Sequence, residues 1–185
     1  MDRNPRDSRL RYTKEQLYKS FLGLLAEKPV SDITVIEICD RAGVSRKTFY
    51  KYYSSPFALL SGMQDDLFED YRERLDGVDA DVFQVAPMLI RWADANRVLV
   101  KAIFANRNEG NFIDRMQDDL FDTYRESWEA ANPAKGSDEV EALFYFVVSG
   151  LVGLVRHWLV SQPDVPVEQV IEQADALMHL ADPNR

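Results

Sequence analysis

The sequence predicts an all-α protein of about nine helices, with a three-helix domain at the amino-terminal end joined by a long fourth helix to a helical body. Apolar residues recur three and four positions apart along most of the 185-residue chain, and no segment shows the sustained alternation of a strand. Residues 34–53 are also typical of two short helices joined by a glycine-containing turn, which is the helix-turn-helix pattern.

The first predicted helix begins at Thr13, which can cap a helix start, and ends before Pro29. Four residues spaced three or four apart form its apolar face: Leu17, Phe21, Leu24 and Leu25. Residues 1–12 carry four arginines and no periodic apolar pattern before Leu10. We interpret this stretch as a disordered tail, and the alternative is an arm that contacts DNA phosphates or the minor groove.

Residues at the expected capping positions define the helix-turn-helix. Thr34 and Glu37 can form a capping box, and Gly43 suits the position just past a helix end, where positive φ is tolerated. Ser45 can cap the second helix, RKTFYKYY, whose outer side is polar and basic. We expect Ile36 to be one of the apolar residues that face the core of this domain. The second helix of such a motif enters the DNA major groove.

Two short motifs give this stretch a specific resemblance. The letters T-V-x-x-I, followed by A-G-V-S-x-x-T-F-Y-x-Y-Y, resemble the DNA-binding domain of TetR/AcrR-family transcriptional regulators, and the match spans roughly Arg9 to Leu67. The resemblance implies a DNA-binding domain over residues 9–69 and a ligand-binding and dimerisation domain over residues 70–185. The chain departs from the family pattern at Lys47, where glycine is usual, and at Pro56, where lysine is usual. We expect the first departure to alter base readout and the second to remove a phosphate contact.

The residues predicted to contact DNA are Thr34, Arg46, Lys47, Thr48, Tyr50, Lys51 and Tyr52. The first stands at a helix amino terminus, where a hydroxyl and backbone N–H groups can bind a phosphate. Residues 46–48 lead the recognition helix and are placed for base edges, where Arg or Lys favours guanine and the threonine methyl favours thymine. Residues 50–52 match family positions that grip the DNA backbone. The alternative is a solvated basic face, but the complete capped motif favours DNA binding.

Six further helices are predicted after the helix-turn-helix. The fourth begins at Pro56, ends at Asp76-Gly77 and belongs to both parts of the chain, so that it joins them without a flexible linker. The other five are helix 82–95 with Pro87 inside it, a short helix capped by Asn96, one after Gly110, one after the loop 132–137 and one after the break 163–166.

Aromatic residues are abundant in the body, and the family resemblance implies a ligand cavity among helices four to eight. The candidate ligand-binding residues are Trp92, Phe104, Phe121, Tyr124, Arg125, Trp128, Phe144 and His157. A cavity of this kind is mostly apolar with a few polar groups, and the candidate polar anchors are Arg125, Arg156 or His157. For any single aromatic residue, a place in the ordinary core is the better interpretation.

The last two helices suggest a dimer. Gly150 and Gly153 allow another helix to approach closely, and the family pairs its last two helices across a two-fold axis. The candidate interface residues are Leu151, Leu154, Trp158, Val170, Ala174 and Leu177. The stretch GLVGLVRHWL, followed by a proline break and a final helix, is similar to the relatives grouped with dihydroxyacetone-kinase regulators.

Charge is distributed unevenly along the chain. The net charge of −9 by itself argues against nucleic acid as a partner. Residues 1–60, however, hold 11 Lys and Arg against 7 Asp and Glu, a net +4, whereas residues 61–185 hold 11 against 24, a net −13. Because charges more than about 10 Å away are largely screened at physiological salt, a basic head on an acidic body can still face DNA.

The sequence gives little support to an enzyme or a metalloprotein. Ser149-Gly150 has no nucleophile elbow around it, and His157 and His179 belong to no metal-spaced cluster, so no metal or cofactor is predicted. Cys39 is the only cysteine and is interpreted as a small core residue. No apolar run approaches the ~20 residues of a membrane helix, and no signal peptide opens the chain. These observations favour a cytoplasmic protein.

The sequence therefore predicts a homodimeric transcriptional repressor of a bacterium, released from a near-palindromic DNA operator by a small-molecule effector. One alternative is an activator, or a regulator controlled by a partner protein. The other is a helical enzyme or carrier of small molecules with a vestigial DNA-binding head.

Overall fold

The computed structural model describes residues 5–76, 78, 82–106 and 112–181. The regular structure in these ranges is entirely helical, which confirms the all-α prediction. The helices are α1 (Pro5–Leu25), α2 (Val35–Ala42), α3 (Arg46–Tyr50), α4 (Pro56–Leu75), α5 (Val82–Ala95), α6 (Arg97–Ala105), α7 (Phe112–Ala131), α8 (Ser137–Ser161) and α9 (Val167–Ala181). A single turn of 3-10 helix, Val30–Asp32, lies between α1 and α2.

The chain divides into two compact units. The first consists of residues 1–67 and 98–110, and the second of residues 68–97 and 111–185. The change from one unit to the other thus falls within α4, close to the predicted boundary after residue 69. Most of α6 groups with the first unit, a long-range association that local sequence patterns do not reveal. The predicted domain limits remain a prediction.

The first helix is longer than predicted. It begins at Pro5 rather than at Thr13, so the part of the predicted tail that the structure describes is helical. Proline is well accepted in the first turn of a helix, because its missing N–H has no helical partner there. Arginine has a good helix propensity and needs no apolar face. An absent apolar pattern before Leu10 therefore did not exclude a helix.

The first three helices all contribute to the core of the first unit. The side chains of Phe21 on α1, Ile38 on α2 and Phe49 on α3 are fully buried. Ile36 is 51% exposed, so the prediction that it faces the core is wrong. Successive helix residues point about 100° apart, so Ile36 is turned about 200° from Ile38 and points away from the core.

Gly43 ends α2 in the left-handed conformation, with φ of 64°. A Cβ atom at this position would meet no atom within 4 Å, so any cost of a substitution comes from the backbone alone. We expect Gly43→Ala to lower the free energy of unfolding by about 1 kcal/mol, because an L-residue in this conformation is strained by roughly 1–2 kcal/mol. Urea unfolding of the two proteins would measure this, and equal midpoints would show that the turn relaxes without strain.

In the second unit, α8 packs on α7 and α9, and α5 packs on α9. The α5–α9 pair is reinforced by two hydrogen bonds of 3.2 and 2.8 Å from the Arg91 guanidinium to the Glu168 carboxylate. Within the described residues, α8 is the one helix long and apolar enough to cross a membrane by length and composition. This corrects the expectation that no apolar stretch reaches that length. A buried core helix passes the same test, so the finding alone is weak evidence for a membrane span.

Candidate nucleic-acid interface

The predicted caps of the helix-turn-helix are present in the structure. The Thr34 hydroxyl oxygen accepts from the Glu37 N–H at 3.3 Å, and the Glu37 carboxylate accepts from the Thr34 N–H at 2.9 Å, which completes the capping box. The N–H of Val44 donates to the Cys39 carbonyl at 3.0 Å across the glycine turn. The Ser45 hydroxyl oxygen accepts from the Thr48 N–H at 3.1 Å and so starts α3. Together these hydrogen bonds fix how the chain turns from α2 into α3.

The recognition helix presents a basic and phenolic surface to solvent. One residue of α3, Phe49, is fully buried and anchors the helix to the core. The Tyr50 side chain is 58% exposed and that of Tyr52 is 36% exposed. We name the set of exposed or half-exposed residues along this helix the recognition face: Arg46, Lys47, Thr48, Tyr50, Lys51 and Tyr52. The structure therefore brings together six of the seven predicted DNA-contacting residues on one segment.

Several members of the recognition face already make contacts within the chain. The Thr48 and Ser45 hydroxyls lie 2.8 Å apart, so Thr48 helps to close the cap. The Lys51 ammonium lies 5.4 Å from the centroid of the Tyr52 ring, within cation–π range. This second contact holds a positive charge next to a phenol, a pair of groups that suits a DNA phosphate.

Thr34, the seventh predicted DNA-contacting residue, uses its polar groups within the capping box. Its hydroxyl donates to the Glu37 carboxylate at 2.9 Å, and its N–H donates to the same carboxylate. A phosphate contact would require this hydroxyl to exchange partners, so Thr34 stays a prediction. The Glu37 carboxylate is also paired with the Lys28 ammonium at 2.6 Å. Sequence reasoning missed Lys28, because a residue in the irregular segment after α1 carries no periodic signal.

The capping carboxylate has a pH-dependent role. The pKa of Glu37 is lowered to about 2 by the hydrogen bond from Lys28 and by those from Thr34. A carboxylate whose pKa falls on folding stabilises the fold fully above its unfolded pKa, near 4.5, and loses this contribution as pH falls towards 2. We expect Glu37→Gln to remove this part of the acid sensitivity. The thermal midpoint of the variant should change less than that of the original chain between pH 6 and pH 3, and equal changes would contradict the assignment.

Two family models match the chain. One, described as bacterial regulatory proteins of the tetR family, matches residues 22–61, which include the helix-turn-helix. The other, described as a transcriptional regulator C-terminal region, matches residues 81–180, more than half of the chain. This chain belongs to the TetR family. Its membership confirms the predicted class of protein, a DNA-binding transcriptional regulator and not an enzyme.

Three known proteins are similar to the chain in part of its sequence or in its fold. The chain is 34% identical over 68 residues to the HTH-type transcriptional regulator YxbF of Bacillus subtilis, but the match covers 37% of this chain and 17% of that protein. A TetR-family regulator structure from Syntrophomonas wolfei superposes with a TM-score of 0.68 at 16% identity, covering 92% of this chain and 95% of that one. The dihydroxyacetone kinase operon activator DhaS superposes with a TM-score of 0.58 at 18% identity, with coverages of 91% and 94%. These two likenesses concern the fold alone.

The predicted ligand-binding residues of this TetR-family chain do not form one group. Trp128 and Phe144 are fully buried, with ring centroids 5.2 Å apart, and Phe121 lies 5.1 Å from Phe144. Tyr124 is 4% exposed on the same helix, α7. Phe104 belongs to the first unit.

Three further candidate ligand-binding residues are Trp92, Arg125 and His157. The Trp92 indole N–H donates to the Asp70 carboxylate at 2.7 Å, which ties α5 to α4. Arg125 is exposed, with its guanidinium 4.6 Å from the Phe121 ring centroid, and His157 is also exposed. Both side chains lie at the surface of one chain, and their role as polar anchors of a ligand cavity stays a prediction. Charged and polar tips keep their hydration by lying at the surface.

The predicted dimer residues fall into two sets. Trp158, Val170 and Ala174 are at most 2% exposed. The Trp158 indole donates to the Val165 carbonyl at 2.9 Å, and the Arg97 guanidinium lies 4.7 Å from its ring centroid. Trp158 is thus part of the chain's own packing, which corrects its predicted place at an interface.

The remaining residues, together with the buried Ala174, line an open groove of about 540 Å³ between α8 and α9. Leu151, Leu154 and Leu177 all contribute to it. Phe146 also lines the groove and is 71% exposed, and Leu177 is 54% exposed. The sequence analysis did not select Phe146, although its place on an apolar helix was a usable signal. A mostly apolar groove with exposed large side chains is typical of an interaction surface.

Proposed function

We propose that this TetR-family regulator is a homodimeric repressor that binds a near-palindromic operator and leaves it when a small-molecule effector binds the second unit. The observation that carries the proposal is the recognition face, a capped basic helix anchored by the buried Phe49 and otherwise open to solvent. The function places the protein in the cytoplasm, where operator DNA is accessible.

In this proposal α3 lies in the major groove. Arg46 and Lys47 open the helix and are both exposed, so they can reach guanine O6 and N7. Tyr50, Lys51 and Tyr52 follow at its carboxyl-terminal end and would bind phosphates on the groove wall. The net charge of +4 over residues 1–60 supports an approach to DNA with this end of the chain.

A second copy of the chain is the proposed occupant of the α8–α9 groove. Only 33% of the most apolar window of α8 is buried within one chain. Pairing of two α8–α9 faces would remove this surface from water, and the family habit of pairing the last two helices supports the choice. Two α3 helices related by a two-fold axis would then read half-sites about 34–36 Å apart, or a little more.

Effector release is proposed to act through α4. This helix contributes residues to both units, and Trp92 and Tyr71 of the second unit contact each other beside Asp70 of α4. Trp92, Phe121, Tyr124, Trp128 and Phe144 supply the apolar side chains that an effector site would need. An effector changes DNA binding only if it binds the two conformations of the dimer with different affinity.

Selection of bound sequences from random duplex DNA tests the proposal. Full-length protein should enrich a near-palindrome whose half-sites are separated by about one helical turn, 10–10.5 base pairs. A chain that sediments as a monomer and enriches no sequence would overturn it.

An activator is the second candidate, because DhaS, a fold neighbour, is described as an operon activator. Transcription in a reporter strain that carries the selected site distinguishes the two. Deletion of the regulator should raise transcription from a repressed promoter and lower it from an activated one.

A further inference from the structure

One polar network of the first unit is not explained by the DNA contacts. It involves α1, α4 and Tyr53, which lies three residues after the last residue of the recognition helix. The Tyr53 hydroxyl donates to the Tyr18 hydroxyl over 3.4 Å, a long hydrogen bond. The Asp66 carboxylate also lies within reach of the Tyr18 hydroxyl, and this contact helps to raise the pKa of Tyr18. The Lys14 ammonium lies 2.8 and 2.6 Å from the two oxygens of that carboxylate.

The network is half-buried and its groups support one another. Burial raises the pKa of Tyr18, and the contacts with Tyr53 and Asp66 act in the same direction, so Tyr18 stays a neutral donor and acceptor. The Lys14 ammonium also lies 5.2 Å from the Tyr18 ring centroid. Because the carboxylate is neutralised by Lys14, it can accept from Tyr18 in a partly dehydrated site at moderate cost.

A glycine completes the site of Tyr53. A Cβ atom on Gly62 of α4 would lie 3.1 Å from Cε1 of the Tyr53 ring, 3.8 Å from the Tyr53 hydroxyl and 3.6 Å from the Tyr18 hydroxyl. The ring of Tyr53 therefore packs closely against the backbone of α4. The centroid of the Tyr53 ring also lies 5.9 Å from that of Phe49, the buried ring of the recognition helix.

The recognition helix needs such a support. It is only five residues long, and the following residues form turns in which Lys51 and Tyr52 donate to the Thr48 and Phe49 carbonyls. A helix this short has little stability of its own. Its amino end is fixed by the Ser45 cap, whereas its carboxyl end is continued by Tyr53.

We propose that Tyr18, Gly62 and Asp66 are positioning residues for DNA recognition. They hold Tyr53, and with it the carboxyl-terminal end of α3, in the orientation in which Tyr50, Lys51 and Tyr52 meet phosphates. None of the three touches DNA. The inference rests on the proposed function, and it adds residues of α1 and α4 to the determinants of operator affinity.

Gly62→Ala is the decisive variant, because it should keep or raise the stability of the protein while it lowers operator affinity. Alanine is a better helix former than glycine, so a purely structural role predicts an equal or higher melting temperature and unchanged DNA binding. If Gly62 positions Tyr53, the added methyl displaces the ring by a few tenths of an ångström. Operator affinity should then fall about three- to tenfold in a protein that is no less stable.

Tyr18→Phe tests the hydroxyl network in the same assay. It should lower operator affinity about three- to tenfold, the range expected for one hydrogen bond, and leave the salt dependence unchanged because no phosphate contact is lost. The double variant Tyr18→Phe/Tyr53→Phe should lose little more than either single variant, since both remove the same interaction. Tyr71→Phe is the matched control, because it deletes a buried tyrosine hydroxyl that donates to the Met116 carbonyl in the second unit.

Hydrogen exchange of the DNA-free chain gives a readout that is independent of operator binding. Tyr18→Phe and Gly62→Ala should each speed amide exchange over residues 46–53, and Tyr71→Phe should not. Unchanged exchange in this segment, or faster exchange with unchanged operator affinity, would overturn the inference. If the original chain binds no duplex, the proposed function fails, and the exchange data still decide whether the network holds the helix.

Discussion

Replacing Lys51 by alanine should weaken operator binding by at least about 100-fold at physiological salt. A hydrogen bond to a charged group contributes about 1.5–3 kcal/mol, and a dimer loses two of them, one from each recognition helix. Each lost phosphate contact also lowers the slope of log affinity against log salt by about 0.9. The slope should therefore become shallower by about two units, which a salt titration of fluorescence anisotropy would measure.

The loss should be the same on operator and on random duplex, because phosphates carry no sequence information. Tyr50→Ala should act in the same direction with a smaller change in slope, since a phenol donates a hydrogen bond without a charge. Lys101→Ala is the matched control, because Lys101 is an exposed lysine of α6, outside the recognition face. Unchanged affinity for Lys51→Ala would remove this residue from the interface.

Phe146→Glu should convert the dimer into monomers and lower operator affinity by at least 100-fold. The side chain is 71% exposed in one chain, so the substitution leaves the chain's own core intact. In a pair of α8–α9 faces the same position would bury an unpaired carboxylate, which costs several kcal/mol. A monomer has one recognition helix, so it also loses the gain in effective concentration that a dimer has when it binds two half-sites at once. Sedimentation and operator titration of the same sample would measure both effects.

Ala176→Glu provides the control for added charge on this surface. Ala176 is exposed on α9 but does not line the groove. This variant should remain dimeric and keep its operator affinity. A dimer that tolerates glutamate at position 146 would show that the two chains pair through a different surface.

The helix-turn-helix was predictable because its determinants are local. Thr34, Glu37, Gly43 and Ser45 act on backbone groups within a few residues of themselves, so their spacing along the chain is sufficient evidence. The start of α1 and the exposure of Ile36 were not predicted correctly. Charged helices lack an apolar pattern, and a residue next to core positions is easily assigned to the wrong face.

The longer-range features could not be derived from spacing. The pairs Lys14–Asp66 and Arg91–Glu168 join residues 52 and 77 positions apart, and no periodic pattern connects them. Aromatic content indicated a substantial core in the second unit, but composition cannot assign a ring to packing or to a ligand site. Trp158 illustrates this difficulty, because its partner, the Val165 carbonyl, belongs to the connection after α8.

The reactivity of Cys39, the single cysteine of the chain, can report on opening of the first unit. Cys39 is 3% exposed in the core of the first unit, and burial raises its pKa. A thiol reagent can therefore modify the protein only when that unit opens, so the labelling rate measures its opening without any engineered probe. Operator DNA should slow the reaction in proportion to the stability it adds, whereas a ligand of the second unit should leave it unchanged unless its effect reaches α2.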